Sequence, residues 1–291
     1  GPVSASGLIL DGFARSRWIG MKEIENSIAV VTGAGSGIGR DTALALAAHG
    51  AEVAVTDLDE SSGGETVGLI HANGGRAEWF RMDVSNPDAI TATSAAIVQH
   101  LGSPAILVNN AGIAVGANFV DTSRESWDRI IAINLMGVIH CCRAFIPSMV
   151  VHGKPGHIVN ISSMLGFMGA RGVSAYCATK FGVLGFSESL RAELSDHRIG
   201  VSTICPGMVR TNIIANGELV MPNEDAEKKR KAITALYDKR NFPPERVAGA
   251  IIKAIRRNRA VVPVTAEARL SYYLKRWTPG LLGWINRRIS P

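Results

Sequence analysis

Tyr176 and Lys180 stand four residues apart in the run Tyr176-Cys177-Ala178-Thr179-Lys180, a spacing that puts both side chains on one face of a helix. A lysine ammonium beside a phenol favours the phenolate and lowers a pKa that starts at about 10. Such a pair can exchange a proton with an alcohol or a carbonyl near neutral pH. The spacing alone is a weak signal, because tyrosine and lysine often sit four apart on solvated helices. Just upstream, Ile158-Val159-Asn160-Ile161 is an apolar run ending in Ser162-Ser163. A hydroxyl there can hold a substrate oxygen, or it can simply shape a turn.

A third cluster is rich in glycine: Thr32-Gly33-Ala34-Gly35-Ser36-Gly37-Ile38-Gly39. It follows an apolar run and opens a helical one, the context in which free helix N–H groups and a positive dipole end receive a pyrophosphate. The spacing is neither the GxGxxG dinucleotide fingerprint nor a P-loop, since no Gly-Lys-Ser/Thr follows. The next apolar run ends at Thr56-Asp57. An acid at that place accepts hydrogen bonds from adenosine ribose hydroxyls and repels a 2′-phosphate. No basic residue stands at Ser36 or Leu58, so NAD is favoured over NADP. The bland alternative is that Asp57 caps the helix that begins near Glu60.

These groups need a scaffold, and the hydrophobic pattern supplies one. Short apolar runs at 28–32, 53–56, 79–82, 106–109, 157–161, 200–205 and 260–264 read as strands. They alternate with helical stretches at 37–49, 60–73, 87–101, 124–150, 174–197 and 244–258. Alternation of this kind means βαβ units: an α/β fold, a doubly wound, Rossmann-like parallel sheet of about seven strands with helices on both faces, in one domain. The stretch 207–241 breaks the alternation and carries a charged, helix-prone run at 224–231. Placed beyond the carboxyl end of a strand, it is a candidate lid or substrate wall.

The ordered set of motifs resembles the short-chain dehydrogenases/reductases across 27–264. It comprises the glycine cluster, Asp57, Asp83-Val84, Asn109-Asn110-Ala111-Gly112, Asn134, Ser163, Tyr176 with Lys180, and Pro206-Gly207. The resemblance implies roles for these residues. Gly33, Ser36 and Ile38 line the pyrophosphate, with Gly37 and Gly39 allowing close packing. Asp83 and Val84 meet the adenine. Asn110, Ala111 and Gly112 pass along the ribose, and the Asn110 amide also ties neighbouring strands. Pro206, Gly207, Val209 and Thr211 hold the nicotinamide end. Tyr176 is the acid/base, Lys180 tunes it and bonds the nicotinamide ribose, and Ser163, rather than Ser162, polarises the substrate oxygen. Asn134 anchors a proton-relaying water; its bland alternative is a helix-interior asparagine satisfying nearby backbone. No metal is implied. The implied activity is hydride transfer between NAD(H) and a secondary alcohol or ketone, in a homodimer or homotetramer built through the two long helices. A non-catalytic NAD(H)-binding regulator is the alternative, although such a protein would be expected to lose the tyrosine, lysine or serine.

Composition narrows the remaining classes. The chain has 291 residues, 46% hydrophobic and 19% charged, which fits a globular protein with a sizeable core and not a disordered one. Its net charge is +6, and the segment 266–291 holds five basic residues against the single acid Glu267, so it carries four of those charges. The body is near neutral, which disfavours a nucleic-acid groove. Cys141, Cys142, Cys177 and Cys205 form no CxxC pair, pointing to a reducing, cytoplasmic setting. No uninterrupted apolar run approaches the roughly 18 residues of a membrane-spanning helix.

Residues 1–20 read as an extension, tag remnant or linker, 21–265 as the catalytic domain, and 266–291 as a basic amphipathic tail. In that tail Leu270, Tyr272, Tyr273, Leu274, Trp277, Leu281, Leu282, Trp284 and Ile285 interleave with Arg269, Lys275, Arg276, Arg287 and Arg288, and Pro279-Gly280 splits it into two short helices at best. Such a segment suits peripheral contact with an anionic membrane, a substrate mouth or a partner subunit. The substrate wall is expected from apolar residues at 165–168 and 208–221, which favours a fairly hydrophobic substrate; Arg171 and Arg210 would instead suit an acidic one.

Overall fold

The computed structural model describes residues 20–21, 23–211, 213, 217–220, 231–232, 234–236, 239–278 and 280. The expectations for residues 1–19, for the run 224–230, and for Leu281, Leu282, Trp284, Ile285, Arg287 and Arg288 lie outside the described residues. Strands and helices alternate along the chain: β1 (Ile28–Thr32), α1 (Gly37–Ala48), β2 (Glu52–Asp57), α2 (Glu60–Ala72), β3 (Arg76–Arg81), α3 (Pro87–His100), β4 (Ile106–Asn109) and the short β5 (Val115–Gly116). Then follow α4 (Arg124–Ile131), α5 (Gly137–His152), β6 (Gly156–Ile161), α6 (Ser174–Glu193), β7 (Ile199–Cys205), the short β8 (Glu218–Leu219), α7 (Pro244–Arg257), β9 (Val261–Pro263) and α8 (Ala266–Trp277).

Seven strands form one parallel sheet in the order β3-β2-β1-β4-β6-β7-β9, while β5 and β8 pair separately. The side-chain period of two sorts the strand residues between two cores. Ala29, Val31, Val53 and Val55 pack with Leu46, Ile70, Ile251 and Ile255 from α1, α2 and α7. Val30, Ala54, Leu107 and Ile158 pack on the other face with Ile90, Ile97, Phe145 and Leu190 from α3, α5 and α6. The strand order reverses between β1 and β4. A crevice opens there beyond the carboxyl ends of the strands, where ligands bind in sheets of this kind.

Helices α4 and α5 are joined by a wider, π-type turn at Ala132–Met136, so the expected helix at 124–150 contains a local bulge. By length and composition alone, an 18-residue stretch within the span Arg124–His152 is apolar enough to cross a membrane. The span is interrupted by Arg143 and Pro147, and Cys141, Cys142, Phe145 and Met149 are buried in the core. The first part of the tail is one helix, α8, which docks on the body: Ala268 is buried and Tyr272 meets Phe167 edge to face at 5.4 Å. Its other face leaves Leu270, Tyr273 and Trp277 exposed.

Candidate active site

The carboxyl ends of six parallel strands deliver the predicted residues to one edge of the sheet. The glycine turn follows β1, Asp57 ends β2, Asp83 and Val84 follow β3, and Asn110 to Gly112 follow β4. Ser162 and Ser163 follow β6, and Pro206 to Thr211 follow β7.

The glycine turn is held by its neighbours. Gly33 has φ +62°, the left-handed region that suits glycine, and a Cβ on Gly39 would collide with the Gly33 carbonyl oxygen. Asn110 Nδ2 donates to the carbonyls of Thr32 and Gly33, at 2.9 and 3.0 Å. Thr32 Oγ1 accepts the amides of Asn110 and Ala111, both at 3.0 Å. The amide of Asn110 therefore ties β1 to β4 and is spent on the backbone. Ser36 is the N-cap of α1 but makes no capping hydrogen bond, and the first turn of α1 carries no acid. The helix thus presents its amide dipoles uncompensated, as an anion site requires.

Asp57 accepts the Gly35 amide at 2.8 Å and the Asp59 amide at 3.1 Å. The cap of α2 is Asp59, which accepts the Ser62 amide, so the capping alternative for Asp57 fails. The guanidinium of Arg40 lies against the Gly35 carbonyl and Glu65. Asp83 is turned onto Ser85, accepting its amide at 2.9 Å and its hydroxyl at 2.6 Å. Val84 packs beside Gly137, where a Cβ would stand 2.8 Å from the Val84 carbonyl oxygen.

Ser163, Tyr176 and Lys180 meet in one cavity of about 390 Å³, together with Ile38, Asn110, Gly112, Pro206, Gly207, Val209 and Thr211. Lys180 is buried. Its Nζ lies 5.6 Å from the Tyr176 ring centroid and donates to the Ile161 carbonyl at 3.0 Å. Loss of water around the ammonium pulls the Lys180 pKa down to about 8. The two serines differ in how they are used. Ser162 donates its proton to the Lys180 carbonyl at 2.8 Å. Ser163 instead accepts the Leu165 amide at 3.1 Å, and its own proton is left to donate to a ligand in the cavity.

Asn134 sits in the π-type turn and does not line the cavity. Its side chain brackets Ile113, accepting that residue's amide at 2.8 Å and donating to its carbonyl at 2.9 Å. A Cβ on Gly112 would stand 3.1 Å from Asn134 Oδ1 and 3.6 Å from Lys180 Nζ, so the bare glycine keeps open the space between them.

The substrate wall differs from its expected course. Met164 and Leu165 line the cavity, but Phe167 and Met168 turn away to pack with Ala268 and Tyr272. Val209, Thr211, Ile213 and residues 217–220 line it, whereas Met208 and Arg210 do not; Met221 is outside the described residues. Residues 114–118 and Arg171 to Val173 complete the wall. Of these the sequence reading names only Arg171. The others come from loops without hydrophobic periodicity, held by the β5–β8 pair and by a bridge between Ala117 and Val173.

Comparison with known proteins places this geometry. The family described as short chain dehydrogenase matches residues 27–218. "Probable oxidoreductase EphD" of Mycobacterium tuberculosis is 42% identical over 260 residues, which cover 88% of this chain and 44% of that protein, so this chain spans less than half of that relative's length. The 2-(S)-hydroxypropyl-CoM dehydrogenase 3 of Xanthobacter autotrophicus is 32% identical, over 79% of this chain and 89% of that one. A short chain dehydrogenase/reductase from Burkholderia phymatum, solved in complex with NAD, superposes with a TM-score of 0.82 at 28% identity, over 90% of this chain and 96% of that one. The motifs, the strand order and the matched residues agree, and the chain belongs to the short-chain dehydrogenase family of oxidoreductases.

Proposed function

We propose that the chain is an NAD-dependent dehydrogenase/reductase acting on a secondary alcohol or its ketone, with an apolar body on the substrate. The observation that carries this reading is the convergence of Ser163, Tyr176 and Lys180 on the cavity that also receives Ile38 of the glycine turn and the residues after β7. The residues fit a dinucleotide: a helix start without a competing cap or acid, a turn where an added Cβ would collide, and a carboxylate at the end of β2. Asp57 favours NAD, since a 2′-phosphate beside its carboxylate would meet like charge. Arg40, the nearest guanidinium to that turn by sequence, already faces Glu65.

When bound, the nicotinamide supplies the hydride acceptor or donor. In the oxidative direction the Tyr176 oxygen takes the proton of the alcohol hydroxyl while the hydride leaves the carbinol carbon, and a ketone results. Ser163 donates its proton to the substrate oxygen and fixes its position. The Lys180 ammonium favours the phenolate of Tyr176 and is itself held by the Ile161 carbonyl. Asn134 holds Ile113, and we assign it the anchoring of the water that exchanges protons with Lys180. Asp83, Val84, Asn110, Ala111 and Gly112 take the adenine and ribose side in this reading, and Pro206, Gly207, Val209 and Thr211 the nicotinamide side. Apolar wall residues such as Val115, Leu165, Val173 and Leu219 suit a hydrophobic substrate. The faces of α5 and α6 that leave Val151 and Phe181 exposed suit a second copy of the chain.

Absorbance of NADH, followed over a panel of secondary alcohols and ketones with the wild type and Tyr176→Phe, tests the reading. The expected result is turnover by the wild type with NAD, abolished in the variant while NADH still binds. NADH binding by the wild type without turnover on any member of the panel would favour the regulator. Near-normal turnover by Tyr176→Phe would remove the assigned acid/base.

A further inference from the structure

We propose that Glu267, in the first turn of α8, is a positioning residue for the active site. It fastens the turn after β7 to α8 and, through that turn, sets the position of the loop that carries Ser163. The proposal rests on the dehydrogenase reading only for what the turn would hold.

The geometry points to a clasp rather than to a surface acid. Oε1 of Glu267 accepts the Met208 amide at 3.1 Å, and Oε2 pairs with Arg240. The Glu267 side chain is 22% exposed, so the charge is largely withdrawn from water. The turn approaches so closely that a Cβ on Gly207 would collide with Glu267 Oε1 and with Thr265 Oγ1. Thr265 itself is buried and caps α8 by accepting the Ala268 amide. The turn is also tied beyond Met208, where the Arg210 amide donates to the Phe242 carbonyl at 3.0 Å. Arg240 and Phe242 therefore bring the returning chain to the same anchor.

The connection continues to the reactive serine. The Pro206 carbonyl accepts the amide of Met164, the residue after Ser163, at 2.8 Å. Phe167, at the end of that loop, packs on Tyr272 of α8. Both loops that face the substrate oxygen are thus braced on one helix, and Glu267 is the only acid in that helix. Pro206, Gly207 and Val209 line the cavity while Met208 does not. The clasp is therefore made on the back of the turn and leaves its inner face to the ligand.

A merely structural role is available for an acid at this place, because a carboxylate in the first turn of a helix is favoured by the helix dipole. Glu267→Asp separates the two roles. It keeps the charge in the first turn, but one methylene fewer takes the carboxylate out of reach of Met208 and Arg240. Glu267→Gln keeps the reach and an acceptor for the Met208 amide.

The test measures hydrogen–deuterium exchange of residues 206–211 in the protein without coenzyme, and NADH affinity by fluorescence titration, in the wild type and in Glu267→Ala, Glu267→Asp and Glu267→Gln. The clasp requires that Ala and Asp each speed exchange at Met208 and weaken NADH binding by about tenfold, the loss of one charge-assisted hydrogen bond. Gln should stay within about threefold of the wild type, with the helical circular dichroism equal in all four. Wild-type behaviour of Glu267→Asp in both measurements overturns the proposal, because it leaves only the helix-dipole role. Failure of the wild type to bind NADH would instead refute the dehydrogenase reading, and the exchange at Met208 would still decide for or against the clasp.

Discussion

Replacing Lys180 by methionine separates the stability of this protein from its chemistry and yields a number. The side chain is 4% exposed, and burial lowers its pKa from 10.5 to about 8. Below about pH 8 both the native and the unfolded chain carry the proton, and the native state bears the full cost of a desolvated ammonium. Between about pH 8 and 10.5 the unfolded chain binds a proton that the native chain does not, so stability rises with pH. Above 10.5 both are neutral and the rise is complete. The shift corresponds to about 3 kcal/mol. Methionine of similar length cannot titrate. Groups away from Lys180 ionise alike in both proteins and cancel in the difference, and carrying both proteins on a Tyr176→Phe background removes the one phenol that the ammonium faces. The stability of the wild type minus that of Lys180→Met, from urea unfolding followed by tryptophan fluorescence, should therefore climb by about 3 kcal/mol between pH 7.5 and 10.5. Near pH 7 the two proteins should lie close together. The variant escapes the charge penalty but leaves the Ile161 carbonyl without its donor, a loss of about 1–3 kcal/mol. Turnover should fall by about 10²-fold or more. A difference that stays flat across that pH range would mean the ammonium is not desolvated, and the account of Lys180 as a buried cation would fail with it.

Four other substitutions have expected outcomes. Ser163→Ala should lower kcat by about 10²-fold with little change in unfolding midpoint, whereas Ser162→Ala should lower stability by about 1 kcal/mol through the lost hydrogen bond to the Lys180 carbonyl; chemical denaturation and steady-state kinetics on both read this. Asp57→Ser should raise the NADP-to-NAD ratio of kcat/KM by about tenfold or more, as one like charge is removed, and an unchanged ratio would argue against Asp57 as the ribose selector. Asp41 has its pKa raised to about 6, by burial first and then by Glu245. Its carboxyl binds a proton more tightly in the native state, so stability is lost as pH rises from about 4 to 6. Asp41→Asn should be more stable than the wild type at pH 7 by about 1 kcal/mol after solvent screening, with the gap closing below pH 4 in thermal melts.

The sheet was legible because most of its strands are short buried apolar runs between helical stretches. β1 and β4 match their expected ends, and β3 is the poorest match because Arg76 and Glu78 hide its polar start at the sheet edge. The meeting of Ser163, Tyr176 and Lys180 in one cavity was legible because their spacing is fixed by a single helix or turn. Four features were not. The π-type turn at Ala132–Met136 interrupts an apolar stretch whose pattern also suits a plain helix. The loops at 114–118 and 217–220 face each other across about a hundred residues of chain and pair through two residues each, too little to leave a period. Phe167 and Met168 look like wall residues until α8 is in place to cover them. Glu267, the lone acid of a basic tail, offered no sign of the contact it makes, since its partner is a backbone amide.

Adjacent, chemically identical groups in this site are set apart by what the backbone asks of them. Ser162 and Ser163 are neighbours and both line the cavity, yet one hydroxyl gives its proton to a carbonyl and the other receives an amide. Asn110 and Asn134 are amides that each satisfy two backbone carbonyls or a carbonyl and an amide of loops entering the cavity. A buried unsatisfied polar group costs about 1–3 kcal/mol, so irregular loops can converge at the sheet edge only if side chains of this kind absorb their amides and carbonyls. The polar residues therefore divide into those that hold the loops and those whose donors still point into the cavity. That division also explains why the motifs are longer than the proposed chemistry needs: in that proposal a lysine, a tyrosine and one serine suffice for proton movement, and the remaining amides and hydroxyls hold the loops around those three.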